Sequence, residues 1–86
     1  MENWAEHDNA LRGSFRFNNF TEAFSFMTAI AMYAEKQNHH PYWTNIYNKV
    51  DIVLQTHDAG DIITEKDRKM ASWINNLYSK YQNLIT

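Results

Sequence analysis

With 86 residues, a formal charge of −2 and no cysteine, this chain has room for one domain and excludes a disulfide framework, a thiolate nucleophile and a zinc–thiolate centre. Its eight Lys and Arg are spread out or interleaved with ten Asp and Glu, so it lacks the clustered cationic footprint that direct nucleic-acid binding needs. Three Trp, five Tyr and five Phe favour a packed fold over disorder and leave apolar surface for self-association.

The start, Met1-Glu2-Asn3-Trp4-Ala5-Glu6-His7, lacks the basic and apolar regions of a signal peptide. The most apolar stretch, Phe24 to Ala34, is too short to cross a bilayer. These readings predict a soluble cytoplasmic protein with no membrane partner. Trp4 to Phe17 reads as two short strands around a turn at Asp8-Asn9, with the alternation at Phe15-Arg16-Phe17 as the strand signal. Asn19 to Glu22 then offers an N-cap with a Glu at the capping-box spacing. Phe20, Ala23, Phe24, Met27, Ile30, Ala31 and Ala34 recur at helical spacing, which predicts an amphipathic helix running to about Asn38 and stopped by Pro41.

Trp43 to Tyr47 and Val50 to Thr56 read as two further strands joined tightly through Asn48-Lys49. In the second, Val50, Ile52 and Leu54 face one way while Asp51, Val53, Gln55 and His57 face the other. Ala59-Gly60-Asp61 predicts a loop. Thr64-Glu65-Lys66-Asp67 caps a second helix with Met70, Ala71, Ile74, Leu77, Tyr78 and Tyr81 as its buried stripe. Lys66 to Lys69 reads as a solvated face. The order β-β-α-β-β-α predicts a single α+β domain over residues 1–86, a four-stranded antiparallel sheet with both helices on one face.

Three of the four histidines fall in two short segments at element ends, His39-His40-Pro41 and Thr56-His57-Asp58. Imidazole gives and takes protons near neutrality, so the concentration points to proton transfer or to metal binding. Each residue also has an ordinary explanation. His39 can complement a helix C-terminus, and His57 can sit solvated at a strand end. Glu35 lies four residues before His39 and shares its helix face, so it can orient that ring. Glu35, His39 and His57 could supply three metal ligands with an open fourth position. However, no helix carries paired His at i and i+4, and the adjacent side chains of His39 and His40 normally diverge. Proton transfer is the better reading, and no metal is expected. Trp4 stands outside any strong periodicity and could cap the core or lie against a flat ring.

The stretch from Glu35 through His39-His40-Pro41 to Asn45 and Val50 resembles the signature of the pterin-4a-carbinolamine dehydratases. In that signature an acidic residue and three positions precede His-His-Pro, with an aromatic, Asn and Val downstream. The agreement extends into Leu54-Gln55-Thr56-His57 and the acidic helix start at Glu65-Lys66-Asp67. Phe15-Arg16-Phe17-Asn18-Asn19-Phe20 is similar to the family's strand-to-helix passage, and Trp4 falls where the family places a tryptophan.

The resemblance implies the topology read above and a hydro-lyase activity, dehydration of 4a-hydroxytetrahydropterin to quinonoid dihydropterin. Such an enzyme recycles the pterin cofactor of aromatic amino acid hydroxylases. By position, His39 and His57 would be the general acids on opposite faces of the pterin, and His40 a further, positioning member of the catalytic set. Glu35 would hold His39. Gln55, Thr56 and Asp58 would bind the ring edge, and Trp4 would flank the ring. No metal or organic cofactor is implied, because the pterin is itself the substrate. The family also implies a homodimer or homotetramer, and some members act as dimerisation cofactors, so a non-catalytic interaction module is the alternative. The chain departs from the pattern in lacking the helix before the first strand, in Asn38, Asp51 and Gln55, and in one extra residue after His57.

Overall fold

The computed structural model describes residues 1–82. Strands β1 (Trp4–His7) and β2 (Ala10–Arg16) form one hairpin, and β3 (Tyr42–Ile46) and β4 (Lys49–Leu54) form a second. Helix α1 (Phe20–Gln37) connects the hairpins, and α2 (Glu65–Gln82) follows β4. The strands lie in the order β1-β2-β4-β3, antiparallel throughout. The predicted α+β architecture is the one observed.

Alternation along the central strands decides which face is covered. Leu11, Phe15, Val50, Ile52 and Leu54 are buried in one core with Ala23, Phe26, Ile30 and Ala34 of α1 and Met70, Ala71, Ile74 and Tyr78 of α2. Arg12, Ser14 and Arg16, on the opposite face of β2, are exposed. The turn at Asp8-Asn9 has both residues in the left-handed region (φ 52° and 61°). Two-residue hairpins need that geometry to match strand twist, and Asp and Asn tolerate it. The second turn falls at Tyr47-Asn48, one residue earlier than predicted, because Lys49 already pairs with Ile46. Asn48 is occupied elsewhere: its carbonyl accepts from the Phe17 N–H (2.8 Å) and its Nδ2 donates to the Phe17 carbonyl (2.9 Å).

Helix α1 is capped as predicted at Asn19, whose side chain accepts from the Glu22 N–H at 2.9 Å. The Glu22 carboxylate reaches one residue further back than a capping box requires, to the Asn18 N–H at 3.1 Å. The predicted apolar stripe is rotated. Phe26, absent from it, is fully buried, whereas Phe20, Phe24 and Ala31 are exposed. A helix with apolar residues on two adjoining flanks can present only one to the sheet, and the flank presented is Ala23–Phe26–Ile30–Ala34.

The C-terminus of α1 falls where expected, but for a different reason. Asn38 adopts the left-handed conformation (φ 51°), three residues before Pro41. The His39 N–H then donates to the Ala34 carbonyl at 3.0 Å. Asn is among the few residues that take this cap cheaply, so the helix ends by its own C-cap before the proline acts. β4 likewise stops at Leu54. The chain leaves through a 3-10 turn at His57–Ala59, closed by Gly60 at φ 92°, so His57 does not continue the strand alternation. No helix among the described residues is long and apolar enough to cross a membrane.

Candidate active site

The end of α1 and the end of β4 meet beside the start of α2. The αL turn at Asn38 swings His39 and His40 off the end of α1, and the turn after β4 delivers His57 and Asp58. Between them lies a hollow of about 390 Å³ lined by residues 38–42, residues 55–58 and Lys66. His39, His40 and His57 all line it, although the two adjacent imidazoles turn to different carboxylates.

Each of the three imidazoles has its own carboxylate. His39 Nε2 lies 2.6 Å from Asp67 Oδ1, His40 Nε2 lies 2.8 Å from Glu35 Oε1, and His57 Nδ1 lies 2.6 Å from Asp61 Oδ1. A carboxylate on one ring nitrogen sets the tautomer and orients the ring, leaving the opposite nitrogen to exchange a proton. That opposite atom is Nδ1 in His39 and His40, and Nε2 in His57. The environments differ sharply. The His39 side chain is 10% exposed and that of Asp67 is 0% exposed. The other two pairs stand in solvent.

Asp67 is the residue that the sequence reading misplaced. Far from lying on a solvated face, its carboxylate accepts from the Thr56 hydroxyl at 2.7 Å and the Thr64 N–H at 2.9 Å on Oδ2, with His39 on Oδ1. Thr64 and Thr56 hydroxyls bond each other at 2.6 Å, which completes the buried network. Buried charged groups persist only when hydrogen-bonded in this way. The signal in the sequence was the capping-box spacing Thr64 to Asp67: an acid at that position is held against the helix N-terminus. The approach of α1 to that end could not be read from spacing.

Two other expectations are corrected. Glu35 does not hold His39. Its carboxylate meets His40, because the αL residue at position 38 breaks the helical i, i+4 register before His39 is reached. Trp4 does not reach the hollow. It is 8% exposed in the core, edge-on to Phe15 with centroids 5.4 Å apart, and its indole N–H donates to Asn75 Oδ1 at 2.9 Å. It lies over Gly13, its partner across the hairpin. Gln55, Thr56 and Asp58 do line the hollow. The Thr56 hydroxyl is committed to Asp67, and Gln55 Nε2 donates to the Asn9 and Asp61 carbonyls. Among the described residues no group of three or more His, Asp or Glu is arranged to hold a metal ion.

A model of the pterin 4 alpha carbinolamine dehydratase family matches residues 1–77. The chain belongs to that family. A Sinorhizobium fredii protein provisionally named pterin-4-alpha-carbinolamine dehydratase is 57% identical over 74 residues, covering 84% of this chain and 70% of its own. A Prochlorococcus marinus subsp. pastoris protein with the same provisional name is 52% identical over 77 residues, covering 90% and 79%. The crystal structure described as a transcriptional coactivator/pterin dehydratase from Brucella melitensis superposes with a TM-score of 0.86 at 44% identity, over 91% of this chain and 84% of that one. A pterin dehydratase-like protein described as a RuBisCO assembly factor in the alpha-carboxysome shares the fold, with a TM-score of 0.71 at 22% identity over 87% of this chain and 86% of that one.

For a member of this dehydratase family, the arrangement offers three oriented proton carriers around one opening, one shielded and two wet. The shielded ring, His39, is held through Asp67 by two elements at once, the end of β4 and the start of α2.

Proposed function

We propose that the protein dehydrates 4a-hydroxytetrahydropterin to quinonoid dihydropterin and water, recycling the pterin cofactor of aromatic amino acid hydroxylases. The observation that carries this reading is the convergence of three carboxylate-partnered imidazoles on one hollow in a chain of this family. In the reaction the nitrogen-5 lone pair forms a double bond to carbon 4a as the carbon–oxygen bond breaks. An imidazolium donates a proton to the departing hydroxyl, which leaves as water, and a ring nitrogen gives up a proton to a neutral imidazole. His39 and His57 fill the acid roles from the two sides, and His40 positions the ring.

Recognition of the ring edge falls to the end of β4. A pterin presents its 2-amino group and nitrogen-3 hydrogen as adjacent donors, which the Asp58 carboxylate can accept. Gln55 keeps its Oε1 for a further donor. Glu35 acts through His40, and Trp4 has no ligand role. The reaction draws on no metal or organic cofactor, since the pterin supplies the reactive nitrogen.

The test is turnover of freshly generated 4a-hydroxytetrahydropterin by the wild-type protein, His39→Ala and His57→Ala. Positioned acid–base groups contribute roughly 10²–10⁴-fold, so each variant loses activity on that scale. Equal rates for all three would leave the alternative, a non-catalytic interaction module. That alternative draws on the coactivator wording attached to the Brucella melitensis structure and on the exposed Phe20, Phe24 and Met32 of α1. The same apolar flank supports self-association into a homodimer or homotetramer. Activity lost to a chelator and restored by a divalent metal would count against the cofactor-free reaction.

A further inference from the structure

A second hollow, of about 240 Å³, adjoins the first. Tyr33, Gln37, His39, Lys66, Lys69 and Met70 line it. His39 and Lys66 line both hollows, so the two share a border at these residues. A bicyclic ring seated against His39 therefore has a second compartment within reach of its substituent.

The chemistry of that compartment is one-sided. Lys66 and Lys69 are three residues apart on α2, so their side chains emerge from neighbouring positions on one face. None of the lining residues is acidic. The carboxylates close in sequence are engaged with other partners: Asp67 with His39, Glu35 with His40, and Glu65 with Arg68 at 4.0 Å. Among the described residues neither lysine forms an ion pair. Two lysines lining one hollow with no acidic neighbour in its wall, in a chain with a net charge of −2, make a local site of the opposite sign. Gln37 and the Tyr33 hydroxyl add neutral hydrogen-bonding groups, while Met70 and the Tyr33 ring supply apolar walls.

From this placement we infer that the hollow beside His39 is a side-chain subsite selecting pterins whose ring substituent ends in an anionic group, with Lys66 and Lys69 as its specificity-determining residues. The inference rests on the dehydratase reading above and names the substrate class for that site. Both a phosphate ester and a carboxylate carry the required charge. A phosphate suits a pair of lysines better, because it offers three acceptor oxygens and more charge.

The test compares kcat/KM for three 4a-hydroxytetrahydropterins: one with a neutral dihydroxypropyl side chain, its terminal phosphate monoester, and one with a carboxylate-bearing side chain. The wild-type protein should prefer the phosphate ester over the neutral compound by roughly tenfold or more, as two charge-assisted contacts allow. The carboxylate compound should fall between them. Lys69→Gln should cut the preference by about fivefold, Lys66→Gln/Lys69→Gln should abolish it, and 0.5 M salt should weaken it. The readout is a ratio, so a general loss of stability or chemistry cancels, and Lys69→Arg should retain the preference. No turnover of any of the three compounds would sink the dehydratase reading itself. Turnover with equal efficiency on all three, or a preference that survives removal of both lysines, would overturn the subsite alone.

Discussion

His39 Nε2 and Asp67 Oδ1 lie 2.6 Å apart across 28 positions of sequence, joining the end of α1 to the first turn of α2. Asp67 is at once a helix cap, a buried acceptor for Thr56 and the group that orients an imidazole. Asp67→Asn keeps the shape but replaces one accepting oxygen by a donor. Turned toward the Thr64 N–H and Thr56 hydroxyl, that donor leaves them unpaired; turned toward His39, it forces Nε2 to accept, which switches the ring to its other tautomer and exchanges a charge-assisted bond for a neutral one. Leaving a buried polar group unsatisfied costs about 1–3 kcal/mol, so Tm should fall by roughly 4–8 °C for each kcal/mol lost in a domain this small. Turnover should fall by about tenfold or more at temperatures where the variant is fully folded, through the altered tautomer of His39. Wild-type turnover and wild-type Tm together would refute the role.

The Glu35–His40 pair has the same atoms and a different setting. Its side chains are 81% and 59% exposed, and an exposed ion pair contributes about 0–1 kcal/mol. Glu35→Gln should therefore change kcat/KM by less than about fivefold and leave Tm within a few degrees. A loss comparable to that of Asp67→Asn would mean that Glu35 touches substrate, and would reverse the ranking of the two carboxylates.

The contrast between these pairs marks how far the sequence could be read. The hairpin at Asp8-Asn9, the Asn19 cap and the alternation of Val50, Ile52 and Leu54 are local, governed by residues within a few positions of one another, and all three form. The grouping of His39, His40 and His57 was legible through motif resemblance, and one hollow does gather them. Asp67 was not legible, because its burial depends on α1 and β4 arriving together at the start of α2. Glu35 was assigned to the wrong histidine for a backbone reason. The i, i+4 rule holds only inside a helix, and the chain leaves α1 at Asn38 before it reaches His39. The flank that α1 buries was ambiguous for a similar reason, since two apolar flanks satisfied the same period.

Trp4 distinguishes packing from ring recognition. It is buried against Phe15 and bonded to Asn75, well separated in its contacts from the hollow's lining. Trp4→Phe should leave KM for pterin unchanged while lowering stability by about 1 kcal/mol or more for the lost hydrogen bond. Gly13 extends the argument. A Cβ there would sit 2.9 Å from Phe15 Cε2 and 3.0 Å from Trp4 Cε3, closer than carbon atoms approach, and both rings are packed. Gly13→Ala should cost about 1–3 kcal/mol, read as a shift in the urea midpoint, with turnover per folded molecule preserved. A raised KM in Trp4→Phe without any stability loss would restore the stacking role.

Asn38 controls where the two adjacent histidines point. It holds φ at 51°, a conformation costing most L-residues roughly 1–2 kcal/mol, and its N–H closes the helix onto the Ala34 and Glu35 carbonyls. Asn38→Gly should be close to neutral in stability, because glycine takes the left-handed cap freely. Asn38→Ala should be destabilising by about 1 kcal/mol. The two variants separate strain from chemistry. If the cap serves only to stop α1, activity per folded molecule stays constant in both. If it also aims His39 at Asp67, Asn38→Ala should lower kcat as well, since relief of the strain lets α1 continue and rotates His39 away from α2, whereas Asn38→Gly should keep wild-type kcat. The geometry favours the second outcome: the His39 N–H is bonded to the Ala34 carbonyl within the cap itself, so the ring cannot hold its place once that turn unwinds. Equal kcat in both variants, measured beside their urea midpoints, would reduce Asn38 to a helix stop.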